Sequence, residues 1–84
     1  MNQKSLEAYI LLEPHLNELQ NTIKQTIRLL EPCTDNEIIE ATGMNPSTVR
    51  PRRIELSRLG VIEIAGEKTQ PNGRKATTWR IKQW

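Results

Sequence analysis

The side chains with most chemistry to offer are basic, and they fall in two groups. Arg50, Arg52 and Arg53 surround Pro51, and Lys68, Arg74 and Lys75 gather around a stretch rich in turn residues. A guanidinium stays charged at any physiological pH and presents a planar fork of donors. That fork fits paired acceptors on a phosphate, a carboxylate or the O6–N7 edge of guanine. Residues 1–44 hold three basic residues against seven acidic ones, a balance of −4, whereas residues 45–84 hold nine against three, a balance of +6. A net charge of only +2 conceals this asymmetry, which points to a nucleic acid or another polyanion meeting the second half. Two plainer alternatives stand beside it. The arginines would form a solvated helix face with pairs such as Glu55–Arg58 or Glu55–Arg52, and the second group would keep a hairpin soluble.

Other chemistries find little material. One cysteine, Cys33, cannot form an internal disulfide, and one histidine, His15, leaves no metal-ligand cluster. No nucleophile–histidine–acid set, phosphate loop or carboxylate pair stands out, so the chain reads as a non-enzyme with no metal, no cofactor and no evident small-molecule ligand. At 84 residues, 36% hydrophobic and 26% charged, it reads as one small soluble domain. It carries no apolar run of membrane-spanning length and no signal peptide, and is expected in the cytoplasm.

Several elements must position the basic groups. Apolar residues at spacings of three or four, from Leu6, Tyr9 and Ile10 through Leu16, Ile23, Ile27 and Leu30, predict a short helix at about 5–12 and a longer one at 14–30. Pro14 would sit in the first turn of the longer helix and Pro32 would close it. Residues 1–13 form a helical extension on this reading, packed on its own domain or on a second copy as a homodimer; both remain open. "TDNE", Thr34 to Glu37, is a capping box for a helix at 35–42 ended by Gly43. Asn45 then caps a helix at 46–59, with Pro46 in its first position and Gly60 after its end. Two helices joined by the tight "TGMN" turn make a helix-turn-helix.

From Val61 the apolar period becomes two. "VIEIAGEKT" and "ATTWRIKQW" flank "QPNGRK", and Asn72-Gly73 is a strong hairpin signal. A two-residue turn there would pair Pro71 with Arg74 and Ile64 with Ile81. Ile62, Ile64, Trp79 and Ile81 would share one face of a hairpin over 61–82, and Glu63, Arg80 and Lys82 the other. Trp79 is expected in the core, with Trp84 at the hairpin base or exposed.

In this order of elements, "TDNEIIEATGMNPSTVRPRRIELSRLGVIE" followed by "NGRKATTWRI" resembles winged helix-turn-helix DNA-binding domains of bacterial regulators. More narrowly it is similar to small winged-helix proteins encoded by phages and prophages, with their "TVR-P-R" helix, "E-L-x-x-L-G" ending and "GRKA…W" return. The resemblance covers about residues 14–82. It implies an α+β fold: a three-helix core, preceded here by the short N-terminal helix and followed by a two-stranded β-hairpin wing. It also implies a recognition helix in the major groove of double-stranded DNA and a wing on the flanking groove or backbone. By position, Ser47, Thr48, Arg50, Arg52 and Arg53 would face DNA from the helix, and Lys68, Arg74 and Lys75 from the wing. Arg53 departs from the commoner pattern, which has an apolar residue there. Hydroxyls near a helix start suit phosphates, helped by free amides, and five to seven phosphate contacts would give a log–log salt slope of roughly −4 to −6. A transcriptional regulator or phage DNA-transaction factor is the leading expectation; a winged helix used for protein contacts is the alternative.

Pro51 sits awkwardly in this scheme. Inside a helix it removes the amide that would bond the Ser47 carbonyl, at about 3 kcal/mol. Either residues 46–50 form a separate turn and Pro51 opens the main helix, or one kinked helix continues through it. The second is preferred, because Val49, Leu56 and Leu59 stay in phase across the proline.

Overall fold

The structure, a computed structural model, describes residues 16–83. The expected helix at 5–12 and the placements of Pro14, His15 and Trp84 lie outside those residues. The fold is α+β: helices α1 (Glu18–Leu30), α2 (Asp35–Thr42) and α3 (Pro46–Arg58), then antiparallel strands β1 (Ile62–Thr69) and β2 (Lys75–Ile81).

Each helix starts on a residue that accepts an orphan amide. Asn17 caps α1, with its side chain accepting from the Gln20 amide while Gln20 accepts from the Asn17 amide. The helix therefore begins at Glu18 rather than at 14, because this reciprocal pair satisfies the amides at a start after Asn17, and Pro14 has no side-chain acceptor to do the same. Thr34 and Glu37 form the expected capping box, at 3.2 and 2.9 Å. Gly43 ends α2 at φ +69, the left-handed conformation that glycine adopts without Cβ strain.

Helix α3 is continuous through Pro51. The proline is the sixth of the helix's thirteen residues and stands on its exposed side, as does Ser47. Water can therefore reach the Ser47 carbonyl, which lessens the cost of the lost bond. At the far end the Val61 amide donates to the Leu56 carbonyl and the Gly60 amide to the Ser57 carbonyl. This is a Schellman motif, one residue earlier than the expected end at 59, with Val61 and Leu56 both buried beside it.

The core is Ile23 and Ile27 of α1, Ile38 of α2, Val49 and Leu56 of α3, with Val61, Ile62 and Trp79 from the hairpin, Leu16 ahead of α1 and Cys33 between α1 and α2. Burying one such aliphatic side chain stabilises by about 1.5–3 kcal/mol. Leu30 and Leu59, expected in the apolar stripes, are exposed. The hairpin is tied to the helices by a two-bond bridge in which Cys33 and Trp79 exchange backbone hydrogen bonds of 3.1 and 2.7 Å.

The expected hairpin register is wrong in two places. The loop holds three residues, Pro71, Asn72 and Gly73: the Gly73 amide donates to the Gln70 carbonyl and the Gln70 amide to the Arg74 carbonyl. A two-residue type I′ turn needs positive φ at Asn72 as well as Gly73, and only Gly73 has it, at +83. Pro71, fixed near −65°, instead suits the second position of a type I turn, with Gly73 completing the loop. A bulge then leaves Ala65 unpaired, so that Ile64 faces Trp79 and Ile62 faces Ile81. The two offsets together move the base of the hairpin by two residues. That preserves the expected faces, because side chains alternate with period two. Ile62 and Trp79 are buried, Ile81 packs on the core, and Glu63 and Arg80 pair on the other face at 2.8 Å. Ile64 lies beyond the core edge and is 63% exposed.

Candidate functional site

The start of α3, the first turn of α2 and the outer half of β2 enclose a cleft of about 250 Å³. Arg50 and Arg53 line it from α3, Asp35 and Asn36 from α2, and Gln70, Ala76 and Thr77 from the hairpin, with Trp79 at its base. Arg74 and Lys75 follow at the exposed hairpin tip. Of the eight candidate residues only Arg50 and Arg53 line this cleft; the others lie elsewhere on α3 and the hairpin, in different states.

Arg50, Arg74 and Lys75 are exposed and have no acidic partner among the described residues. Arg53 is engaged. Its Nε and Nη2 donate to the two carboxylate oxygens of Asp35, both at 2.8 Å, and its guanidinium lies 4.5 Å above the Trp79 ring. Arg52 is engaged too, with Nε 2.8 Å from one Glu55 oxygen and Nη2 donating to the other at 3.0 Å. Glu55 also accepts from Gln20 of α1 at 2.9 Å, so Arg52 belongs to an α1–α3 contact. Lys68 lies 2.8 Å from Glu37, although its side chain is 54% exposed.

Ser47 and Thr48 lack the setting expected of them. Pro46 has no amide, the Ser47 amide and hydroxyl both donate to the Asn45 side chain, and the Thr48 amide donates to the Asn45 carbonyl. The α3 start therefore holds no free amide for an anion. The Asn45 cap satisfies the donors that a phosphate would need, leaving Thr48 only its hydroxyl and Ser47 only the lone pairs of its own.

Glu37 and Cys33 titrate away from their ordinary values. Glu37 is held below its ordinary carboxylate value, first by the hydrogen bond from Lys68 and then by the Thr34 amide. Cys33 is pushed up to about 11, mainly by burial and then by Glu37 and Asp35. Its thiol stays protonated at neutral pH and is a poor nucleophile. Asp35, Asn36 and Glu37 were not among the expected site residues. The only local signal was that α2 opens on acids, which the helix dipole alone explains.

Among the described residues no three His, Cys, Asp or Glu side chains gather as metal ligands, and no helix is long and apolar enough to cross a membrane. No protein-family model matches the chain, and no curated protein matches it either.

Proposed function

We propose that this chain is a winged helix-turn-helix protein that binds double-stranded DNA. In this reading α3 enters the major groove as the recognition helix, and the hairpin, as wing, follows the flanking groove or backbone. The observation that carries it is the exposure of Arg50 on α3, where it lines the cleft, and of Arg74 and Lys75 at the hairpin tip, none with an acidic partner among the described residues. Unpaired cations on a helix and an adjacent hairpin are what a phosphate backbone attracts, and an exposed guanidinium can fork onto guanine. A transcriptional regulator or a phage DNA-transaction factor fits this chemistry equally.

The ion pairs lower the expected salt dependence. Three phosphate contacts give a log–log slope of roughly −3, and a value near −4 to −5 requires DNA to draw Arg52 and Lys68 from their carboxylates. Selection from a random duplex library tests binding, specificity and site symmetry together. The Arg50→Ala/Arg74→Ala pair should remain folded and lose the selected site. The rival is a protein-contact module, favoured by the exposed Ile64 and by Ile54 on α3. A wild-type chain without duplex affinity even at low salt would decide for that rival.

A further inference from the structure

Arg53 is the site residue whose surroundings least resemble those of a DNA contact. It emerges from the third helical turn of α3 at a position where an apolar residue is usual, and its side chain is only 17% exposed against 20% for Asp35. Two elements meet at its head group. Asp35 opens α2, Trp79 belongs to β2, and the Cys33–Trp79 bridge fixes that strand to the segment before α2.

Arginine suits this position for specific reasons. Its fork matches a carboxylate with two parallel bonds, and its flat face stacks on an indole. Its methylenes can cover core while the head stays polar. A lysine would supply charge without the paired bonds or the stack. Leaving Asp35 to reach DNA would also strand a partly buried carboxylate beside incoming phosphates, which repel it.

We infer that Arg53 is a positioning residue: by joining Asp35 to Trp79 it sets the angle between α3 and the hairpin, and so the placement of Arg50 opposite the wing. This deepens the DNA-binding reading and rests on it for its consequence, though not for its geometry.

The test compares Arg53→Met, which keeps length and apolar cover, with Asp35→Asn, which keeps shape and removes the partner's charge. Positioning predicts that both weaken binding to the selected duplex by about tenfold, an interaction of the size coupled neighbours show. The salt slope should stay at the wild-type value, and the double variant should be no weaker than the worse single one. A direct phosphate contact predicts the opposite sign for Asp35→Asn, which would tighten binding by removing an anion and freeing Arg53. It also predicts a slope shallower by about 0.9 for Arg53→Met. Either result overturns the inference.

Amide hydrogen exchange provides a readout independent of DNA, and so separates failure of this inference from failure of the DNA-binding reading. Both variants should speed exchange at the Cys33 and Trp79 bridge amides by tenfold or more while the Ile27 amide of α1 stays protected. Equal loss of protection at all three sites would mean general destabilisation, and unchanged bridge amides would mean that Arg53 holds nothing in place. Each of these outcomes also overturns it.

Discussion

At the scale of single residues, Pro51 and Cys33 each combine a local cost with a tertiary reason. Pro51 deprives the Ser47 carbonyl of its helical donor without interrupting α3. Pro51→Ala restores that donor but gives the unfolded chain more freedom, so a net gain of about 1–2 kcal/mol is expected in denaturant unfolding. If the missing bond also aims Arg50, the same variant binds DNA more weakly; unchanged affinity and specificity would end that idea. Cys33 makes a pH prediction. Its folded value is raised from 9.0 to about 11, so the neutral thiol's contribution is complete below pH 9. It is lost as pH rises toward 11, because the unfolded thiol ionises first. At no more than about 1.4 kcal/mol per pH unit, wild type should lose roughly 2 kcal/mol more than Cys33→Ala between pH 9 and 11. A constant difference between the two would show that burial does not protect the thiol.

At the scale of elements, the first turn of α2 restrains two of the expected DNA contacts. Asp35 takes Arg53 from α3 and Glu37 takes Lys68 from β1, while Asn36 donates to Gln70 beside the hairpin loop at 2.6 Å. Glu37→Gln keeps an oxygen for the Thr34 amide and releases Lys68. DNA affinity at low salt should therefore rise, and the salt slope steepen by about 0.9; an unchanged slope would mean Lys68 does not reach phosphate. The same pair makes the hairpin's attachment acid-sensitive. Glu37 titrates below 4.5 in the fold, so its contribution is present above that value and fades as pH falls through the lowered one. The caps and the hairpin faces of these elements were legible in the sequence. The loop departs from the expected two-residue turn because Pro71 favours a type I turn ahead of Gly73, and the bulge at Ala65 has no local signature.

At the scale of the whole molecule, oligomeric state and site symmetry must agree. The apolar stripe Leu6, Tyr9 and Ile10, offered as a dimer contact, lies outside the described residues. A dimeric mass at micromolar concentration should accompany two selected half-sites about one DNA turn apart; a monomeric mass should accompany one asymmetric site. A monomer selecting strict palindromes, or a dimer selecting single sites, would break the link between the N-terminal segment and DNA geometry.

The sequence alone determined what acts over four residues or fewer. Thr34 with Glu37, Gly43, Asn45 with Pro46, and Gly60 set their helix ends through bonds to near neighbours, and helical spacing picked out Ile23, Ile27, Val49 and Leu56 for the core. The charge asymmetry was equally plain, because it needs only counting. Which of those charges remain available was decided by tertiary structure. Arg53 meets Asp35 across 18 positions and Lys68 meets Glu37 across 31. Such pairs form only once packing has brought α3 and the hairpin against α2. Composition can place a cation in a domain, but whether it meets a carboxylate or solvent depends on the fold around it.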